Sequence, residues 1–119
     1  MKLNLKKQNI LRERKQFQTV YSEGKSYASR DMVMYVLKSE EYAGKVAFAA
    51  GKKLGCAVVR NRVKRLLREC YRLNQYKIKP GYALILIGRN AMVKKKRQEV
   101  ELSFIELLKK AKIFAGDEA

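Results

Sequence analysis

The side chains with the clearest chemical role lie in one basic segment, residues 51 to 72, where cations recur at helical spacing. At the α-helical step of about 100° per residue, its main polar side chains fall within one sector about 140° wide. These polar residues are Arg60, Asn61, Lys64, Arg65, Arg68 and Arg72. The apolar residues of the opposite sector are Val59, Val63, Leu66, Leu67, Cys70 and Leu73. The pattern predicts a helix over 56–74 that packs on a core through one side and binds a polyanion through the other.

A short loop, residues 52 to 55, precedes this helix and adds Lys52 and Lys53. The first backbone N–H groups of a helix have no partners within it, and the helix dipole makes that end positive. Phosphate oxygens bind well at such a position. The loop and the helix together therefore predict a surface for a phosphate-bearing partner.

The chain lacks the residues of a self-sufficient active site. It contains no His, the commonest general base, and Cys56 and Cys70 stand apart without a CxxC pair. Its Asp and Glu residues are few and scattered, which argues against a two-metal nuclease site. No glycine-rich loop has the P-loop or Rossmann spacing. We therefore expect a binding protein without its own catalytic centre, metal site or bound cofactor.

The balance of charge points to an anionic partner. In 119 residues there are 28 Lys and Arg against 11 Asp and Glu, a formal net charge of +17. Such an excess favours nucleic acid first and an anionic membrane surface second. RNA is favoured over duplex DNA because no helix-turn-helix pattern is present and aromatic side chains suit single strands. The membrane alternative is weaker because the basic helix needs its apolar side for the core.

Neither a secretory signal nor a membrane-spanning run is predicted. The N-terminal residues are basic without a continuous apolar stretch, and the longest apolar runs, 46–50 and 82–87, are too short to cross a bilayer. Isolated cysteines are typical of reduced side chains in a cytosolic protein. The sequence thus predicts a cytoplasmic protein with no membrane partner.

Hydrophobic periodicity and turn residues predict alternating helices and strands. The predicted helices are 13–22, 56–74 and 98–113, and the predicted strands are 26–37, 45–51 and 82–87. The first two strands are expected to pair as an antiparallel hairpin. In the first helix, Phe17, Val20 and Tyr21 share one side, and the two rings suit either core packing or a stacking surface.

These elements predict a single domain of the α/β (α+β) class, a two-layer sandwich in which helices cover a sheet. The expected order is α-β-β-(β)-α-β-α, with about four strands in a mixed sheet and three helices. Residues 1–11 are expected to form a flexible basic arm, 12–114 an RNA-binding domain and 115–119 a tail. The second and third strands flank the basic helix in a βαβ unit, whose crossover is right-handed by default.

One string in the basic segment is more specific than its charge alone. It runs Arg60-Asn61-Arg62-Val63-Lys64-Arg65-Leu66-Leu67-Arg68 and follows Lys52-Lys53-Leu54-Gly55 and Ala57-Val58. Further upstream, a matching spacing is kept by Phe17, Tyr21, Gly24, Ser26, Ala28, Arg30 and Tyr35. In these features the chain resembles the bacterial ribonuclease P protein family over nearly its whole length. It departs from that family at Ser29, where Asn is frequent, and at Ala49-Ala50-Gly51, where the family has more Ser and Val.

The resemblance implies a function that the residues alone do not reach. It implies the accessory protein subunit of an endoribonuclease that removes the 5′ leader of precursor tRNA, with catalysis carried by an RNA subunit and its Mg²⁺ ions. The implied partners are that catalytic RNA and precursor tRNA, with no obligate protein partner. It also implies a left-handed βαβ crossover, against the default.

The resemblance assigns two separate surfaces. Contact with the catalytic RNA is implied for Lys52, Lys53, Arg60, Asn61, Arg62, Lys64, Arg65 and Arg68. Contact with the single-stranded leader, in a cleft between the first helix and the sheet, is implied for Phe17, Tyr21, Arg30 and Tyr35. The alternative is a ribosomal or other structural RNA-binding protein, which would show no dependence on a leader.

Overall fold

The computed structural model describes residues 9 to 116 and contains three α-helices around one four-stranded sheet. The helices are α1 (Arg14–Glu23), α2 (Ala57–Asn74) and α3 (Arg97–Lys110). The strands are β1 (Lys25–Ala28), β2 (Met32–Lys38), β3 (Val46–Ala50) and β4 (Tyr82–Gly88). Short 3-10 helices occupy Lys52–Leu54, Gln75–Lys77 and Asn90–Lys94. Most of the predicted basic arm and tail lies outside the described residues.

The strands lie in the order β1-β2-β4-β3. Strands β1 and β2 and strands β2 and β4 are antiparallel, whereas β3 and β4 are parallel and connected through α2. The predicted mixed sheet, its βαβ unit and the order α-β-β-β-α-β-α are therefore confirmed. The hand of the crossover stays a prediction.

The prediction of one strand over 26–37 is wrong, because the chain turns at Ser29–Asp31 and forms two strands. The Ser29 hydroxyl accepts hydrogen bonds from the backbone N–H groups of Asp31 and Met32, both at 3.3 Å. Such side-chain bonds to the backbone favour a turn over a continuing strand. A hairpin of β1 and β2 results.

The predicted antiparallel hairpin of the strands at 26–37 and 45–51 is also wrong. Strand β4 lies between β2 and β3, with Tyr35 opposite Ile85 on one side and Ala47 opposite Ile85 on the other. The reason is that β4 is apolar on both faces, so it is best placed inside the sheet with a strand on each side.

Both ends of the described chain are held more firmly than predicted. The Leu11 N–H donates to the Val46 carbonyl at 2.9 Å, and the Leu11 side chain is buried, so Leu11 does not belong to a flexible arm. Helix α3 ends at Lys110 rather than at 113, because Lys112 adopts φ 62° and turns the chain. Phe114 then bridges to Ile78.

The larger core lies between the sheet and the helices α2 and α3. Helix α2 contributes side chains that are fully or nearly buried, namely Val63, Leu67, Cys70, Tyr71 and Asn74. Helix α3 contributes Val100, Phe104, Leu107 and Leu108. The predicted apolar side of α2 therefore faces the core, while Leu66 and Leu73 are only half-buried.

The opposite face of the sheet carries a smaller core under α1. Val20 is fully buried there, and Phe17 and Tyr35 pack against the cluster while half-buried. Helix α1 packs on β2 and β4. The neighbouring strand β3 offers only Ala47 and Ala49 on this face, so space remains beside α1.

The closest approach between α2 and the sheet occurs at Gly88, the last residue of β4. A Cβ atom on Gly88 would overlap the Val63 side chain and lie 3.3 Å from the Met92 sulfur. We expect Gly88→Ala to displace α2 and to lower the free energy of unfolding by about 1–3 kcal/mol. Gly51→Ala is the matched control, because a Cβ there meets no atom within 4 Å. Urea denaturation measures both, and equal midpoints would contradict this packing.

Candidate nucleic-acid interface

Helix α2 presents its cations to solvent as the spacing predicts. Asn61, Lys64, Arg65 and Arg68 are exposed, and Lys52 and Lys53 are exposed on the preceding 3-10 helix. We call these six residues the cationic face. Arg60 is half-buried, and its Nε atom is buried without a hydrogen-bond partner among the described residues.

The start of α2 stabilises negative charge. Gly55 adopts φ 133°, which lets the chain turn from the 3-10 helix into α2. Cys56 is the N-cap residue, and the pKa of its thiol is lowered mainly by the backbone N–H groups of Val59 and Val58. The same N–H groups can serve phosphate oxygens, and Lys52 and Lys53 stand just before them.

Two arginines of α2 are engaged within the protein. Arg72, predicted as part of the polar sector, forms an ion pair with Glu69 and keeps the pKa of that carboxyl below its usual value. Arg62 donates a hydrogen bond to the Val93 carbonyl and so points toward the segment before α3. The structure therefore places Arg62 on the other side of α2 from Lys64 and Arg68.

The predicted aromatic residues Tyr21 and Tyr35 lie in contact. Their ring centroids are 4.8 Å apart in an edge-to-face arrangement, and Tyr21 is 42% exposed. Partial burial and the neighbouring Tyr35 raise the pKa of Tyr21, so it stays protonated at neutral pH. Tyr35 packs against the small core, as Phe17 does, whereas Tyr21 is exposed and contacts Tyr35 from outside that cluster.

A cavity of about 380 Å³ joins the two predicted surfaces at the outer edge of β3. We call it the β3 cavity. Its lining comprises Ile10, Leu11, Phe17, Ala47, Phe48, Asn61, Lys64, Arg65 and Arg68. Tyr35 lies in the cross-strand row Tyr35–Ile85–Ala47, two strand spacings or about 10 Å from Ala47. Of the predicted leader-site residues, Phe17 thus shares the cavity with Asn61, Lys64, Arg65 and Arg68 of the cationic face, whereas Tyr21 and Tyr35 do not line it.

Phe48 is a site residue that sequence reasoning missed. The Arg68 guanidinium lies over its ring at 5.9 Å from the centroid, and the ring meets Tyr71 edge-on at the same centroid distance. Phe48 reaches the cavity because β3 is an edge strand and leaves one side of the ring uncovered. One sequence signal could have identified it: Phe48 is the only aromatic side chain in the strand just before the basic helix.

Arg30 does not join the aromatic residues. It is exposed in the turn between β1 and β2, beyond Met32, whose position is three residues or about 10 Å along β2 from Tyr35. The turn is held by Arg89, which donates from its side chain to the Ser29 carbonyl at 3.0 Å. Arg30 thus lies at the end of the sheet from which the 3-10 helix with Lys52 emerges.

The carboxylates of the described chain serve structure. Asp31 is buried and accepts a hydrogen bond from the Ser103 hydroxyl at 2.7 Å, which ties the β1–β2 turn to α3. Among residues 9–116 there is no group of three or more His, Cys, Asp or Glu side chains placed to hold a metal ion. Within the same range, no helix is long and apolar enough to cross a membrane.

Comparison with known proteins gives consistent matches over most of the chain. The family model for ribonuclease P matches residues 5–112. The ribonuclease P protein component of Clostridium botulinum (strain Loch Maree) is 44% identical over 109 residues, which cover 91% of this chain and 98% of that protein. The corresponding component of Alkaliphilus oremlandii is 42% identical over 102 residues, 86% of this chain and 90% of that protein.

Solved structures give the same result. The ribonuclease P protein of Staphylococcus aureus superposes with a TM-score of 0.78 at 30% identity, covering 89% of this chain and 97% of that one. The protein from Thermotoga maritima superposes with a TM-score of 0.75 at 28% identity, covering 84% and 94%. With this fold, this charge pattern and these matches, the chain belongs to the ribonuclease P protein family, the protein components of the endoribonuclease that matures the 5′ end of tRNA.

Proposed function

We propose that this protein binds the catalytic RNA of ribonuclease P through the cationic face of α2 and grips the 5′ leader of precursor tRNA in the β3 cavity. One observation carries this proposal. The cavity has aromatic rings on one side, from Phe17 and Phe48, and cations on the other, from Lys64 and Arg68. Rings beside cations are the arrangement that binds single-stranded nucleic acid.

Docking of the catalytic RNA is driven by the cationic face. Arg68 is four positions from Lys64 and three from Arg65 on one helix, so it repels each of them at a few tenths of a kcal/mol per pair. Phosphates between them relieve that repulsion and release counterions. The start of α2 adds its N–H groups, beside Lys52 and Lys53. Binding of this kind is independent of base sequence and depends strongly on salt.

The leader makes a different kind of contact. A leader base stacks on the half-buried ring of Phe17 where it lines the cavity, while its phosphates meet Lys64 and Arg68. Tyr21 and Tyr35 lie outside the cavity lining and are further contacts along the path of the leader, and Arg30 is a further backbone contact at the end of the sheet. Because mature tRNA has no leader, these contacts favour precursor over product.

The protein contributes binding and positioning, and the chemical step belongs to the RNA subunit with its Mg²⁺ ions. Partial burial raises the pKa of Tyr21, and burial raises that of Tyr71 to about 12, so neither phenol acts as a base at neutral pH. We place the protein in the cytoplasm, where its bacterial relatives meet precursor tRNA. A purely structural RNA-binding protein would share the cationic face but would not discriminate precursor from mature tRNA.

Removing aromatic rings of the proposed leader site should weaken leader recognition. We expect Phe17→Ala and Tyr35→Ala to reduce the affinity of the holoenzyme for leader-bearing precursor by about 1–3 kcal/mol per stacked base lost, while mature tRNA binds as before. Competition binding with both tRNAs measures the ratio. Val20→Ala, which removes buried packing from the same helix away from the cavity, is the control for misfolding. Equal losses on both tRNAs would mean that the rings are only core.

Substitutions at Lys53 and Arg68 should distinguish docking of the catalytic RNA from recognition of the leader. Lys53 lies outside the cavity. We expect Lys53→Gln to lower affinity for the catalytic RNA and to make the slope of log K against log salt shallower by about 0.9. Its precursor-to-mature ratio should stay unchanged. Arg68 lines the cavity, so Arg68→Gln should lower both affinity for the catalytic RNA and discrimination between precursor and mature tRNA. An Arg68→Gln protein that assembles normally would contradict the shared role.

A further inference from the structure

A groove of about 390 Å³ lies at the β1 edge of the sheet. Its lining includes Glu23, Lys25, Tyr27, Val36, Lys38 and Tyr82. We call this depression the β1 groove. Strand β1 is at the edge of the sheet opposite to β3, and the β1 groove shares no lining residue with the β3 cavity. The two depressions are therefore separate.

The floor of the β1 groove belongs to the face of the sheet that carries the larger core. Val36 is part of that core, and the strand register places Lys25 opposite Val36 and Tyr82 opposite Lys38. Ala111, the residue after α3, also lines the groove, and the chain turns at the next residue. The groove thus has a floor of strand residues and is bounded by the end of α3.

An aromatic ring lies toward each end of the groove. Tyr27 is on β1 and opposite Met34, whereas Tyr82 is on β4 and opposite Lys38, four residues further along β2. Two strand spacings and four residues separate the Cα atoms of the two tyrosines by about 16 Å. Both rings are half-buried, and each packs against the larger core and also lines the groove. Each ring can therefore stack a different base.

Two lysines lie between the rings. Lys25 and Lys38 are diagonal neighbours on adjacent strands, so their Cα atoms are about 8 Å apart. Both are exposed, and neither forms an ion pair with another residue between 9 and 116. An anion held between them is attracted by both charges. Cations between two aromatic rings suit a phosphate that links two stacked bases.

The one acid of the groove, Glu23, has no evident structural role. It is the last residue of α1, where the negative end of the helix dipole disfavours a carboxylate. It is exposed and has no ion-pair partner in the described part of the chain. A carboxylate accepts hydrogen bonds only, so it selects a base that presents an amino group, such as cytosine, over uracil.

We propose that the β1 groove binds a two-nucleotide stretch of single-stranded RNA. One base stacks on Tyr27 and the next on Tyr82, and the phosphate between them lies at Lys25 and Lys38. Glu23 accepts a hydrogen bond from the amino group of a cytosine. The site goes beyond the proposed function, because it uses neither the cationic face nor the β3 cavity. An acidic peptide would match the lysines alone, so RNA is the occupant that all of these groups favour.

NMR titration of the full chain with tetracytidylate tests the proposal. We expect the amide resonances of residues 25–28, 36–38 and 82–84 to shift in a saturable way. Resonances near Phe17 and Phe48 report binding in the β3 cavity within the same titration. Tetrauridylate and a hexaglutamate peptide are titrated in parallel. Tetrauridylate should bind the groove about tenfold more weakly, because it offers Glu23 no amino group.

Charge is tested with the double variant Lys25→Gln with Lys38→Gln. Its control is Lys79→Gln with Lys94→Gln, which removes the same charge from exposed positions outside the groove. For the first variant we expect about tenfold weaker binding in the groove and a slope of log K against log salt shallower by about 1.4. The control should match wild type at the groove.

The ring and the carboxylate are tested singly. Tyr27→Leu keeps apolar packing and should weaken binding in the groove about tenfold, whereas Tyr27→Phe keeps the stacking face and should bind as wild type. Glu23→Gln should reduce the preference for cytosine over uracil, because its amide both donates and accepts. Thermal melting of each variant verifies folding.

Groove resonances that stay unchanged with tetracytidylate, while those near Phe17 and Phe48 shift, would overturn the site and leave the proposed function standing. Groove shifts with hexaglutamate and none with tetracytidylate would overturn it in favour of an acidic protein partner. Equal binding by Tyr27→Leu and Tyr27→Phe would show that the ring does not stack a base and would contradict the proposed mode of binding.

Discussion

The packing of α2 against the end of the sheet is the constraint on which the rest of the structure depends. Val63 and Leu67 are fully buried on this side of the helix, and Gly88 allows the approach because any larger residue would meet Val63. Since the apolar side of α2 is committed to this core, its cations cannot turn inward. They are exposed to solvent at helical spacing and repel one another in the free protein, and a bound polyanion relieves this repulsion. The apolar side of α2 thus stabilises the fold, and the cationic side of the same helix is available to bind RNA.

The position of α2 also creates the cavity in which we propose that the leader binds. Strand β3 is at the edge of the sheet and lies beside α2, while α1 covers β2 and β4 on the opposite face. The small side chains Ala47 and Ala49 leave room between the two helices. Phe17 therefore faces a depression whose other wall is cationic, and Phe48 lies beneath Arg68. Recognition of a single strand needs both walls, so the relative placement of α1 and α2 matters more than either helix alone.

Much of this architecture could be predicted from the sequence, because local patterns carry it. The periodicity of α2, the interior character of β4 and the pairing of β3 and β4 through a crossover follow from residue type and spacing. The turn at Ser29 was missed because it depends on hydroxyl-to-backbone bonds inside an otherwise strand-like run. Three other features could not be predicted because they depend on tertiary contacts. These are the neighbours of β2, the hydrogen bond of Arg62 to Val93 and the place of Phe48 in the cavity. The resemblance to a family supplied the division between two RNA surfaces, which charge and periodicity alone could not provide.

The central claim is that RNA carries out the cleavage and that this protein makes precursor binding and cleavage effective. The most direct measurement is reconstitution of the full chain with a bacterial ribonuclease P RNA at low Mg²⁺, followed by the rate of 5′-leader removal from precursor tRNA. The account predicts a much faster rate of leader removal with the protein than with RNA alone at low Mg²⁺. The difference should fade as Mg²⁺ is raised, because Mg²⁺ ions then screen the phosphates that the protein neutralises. An RNA that cleaves equally well with and without the protein at low Mg²⁺ would contradict it.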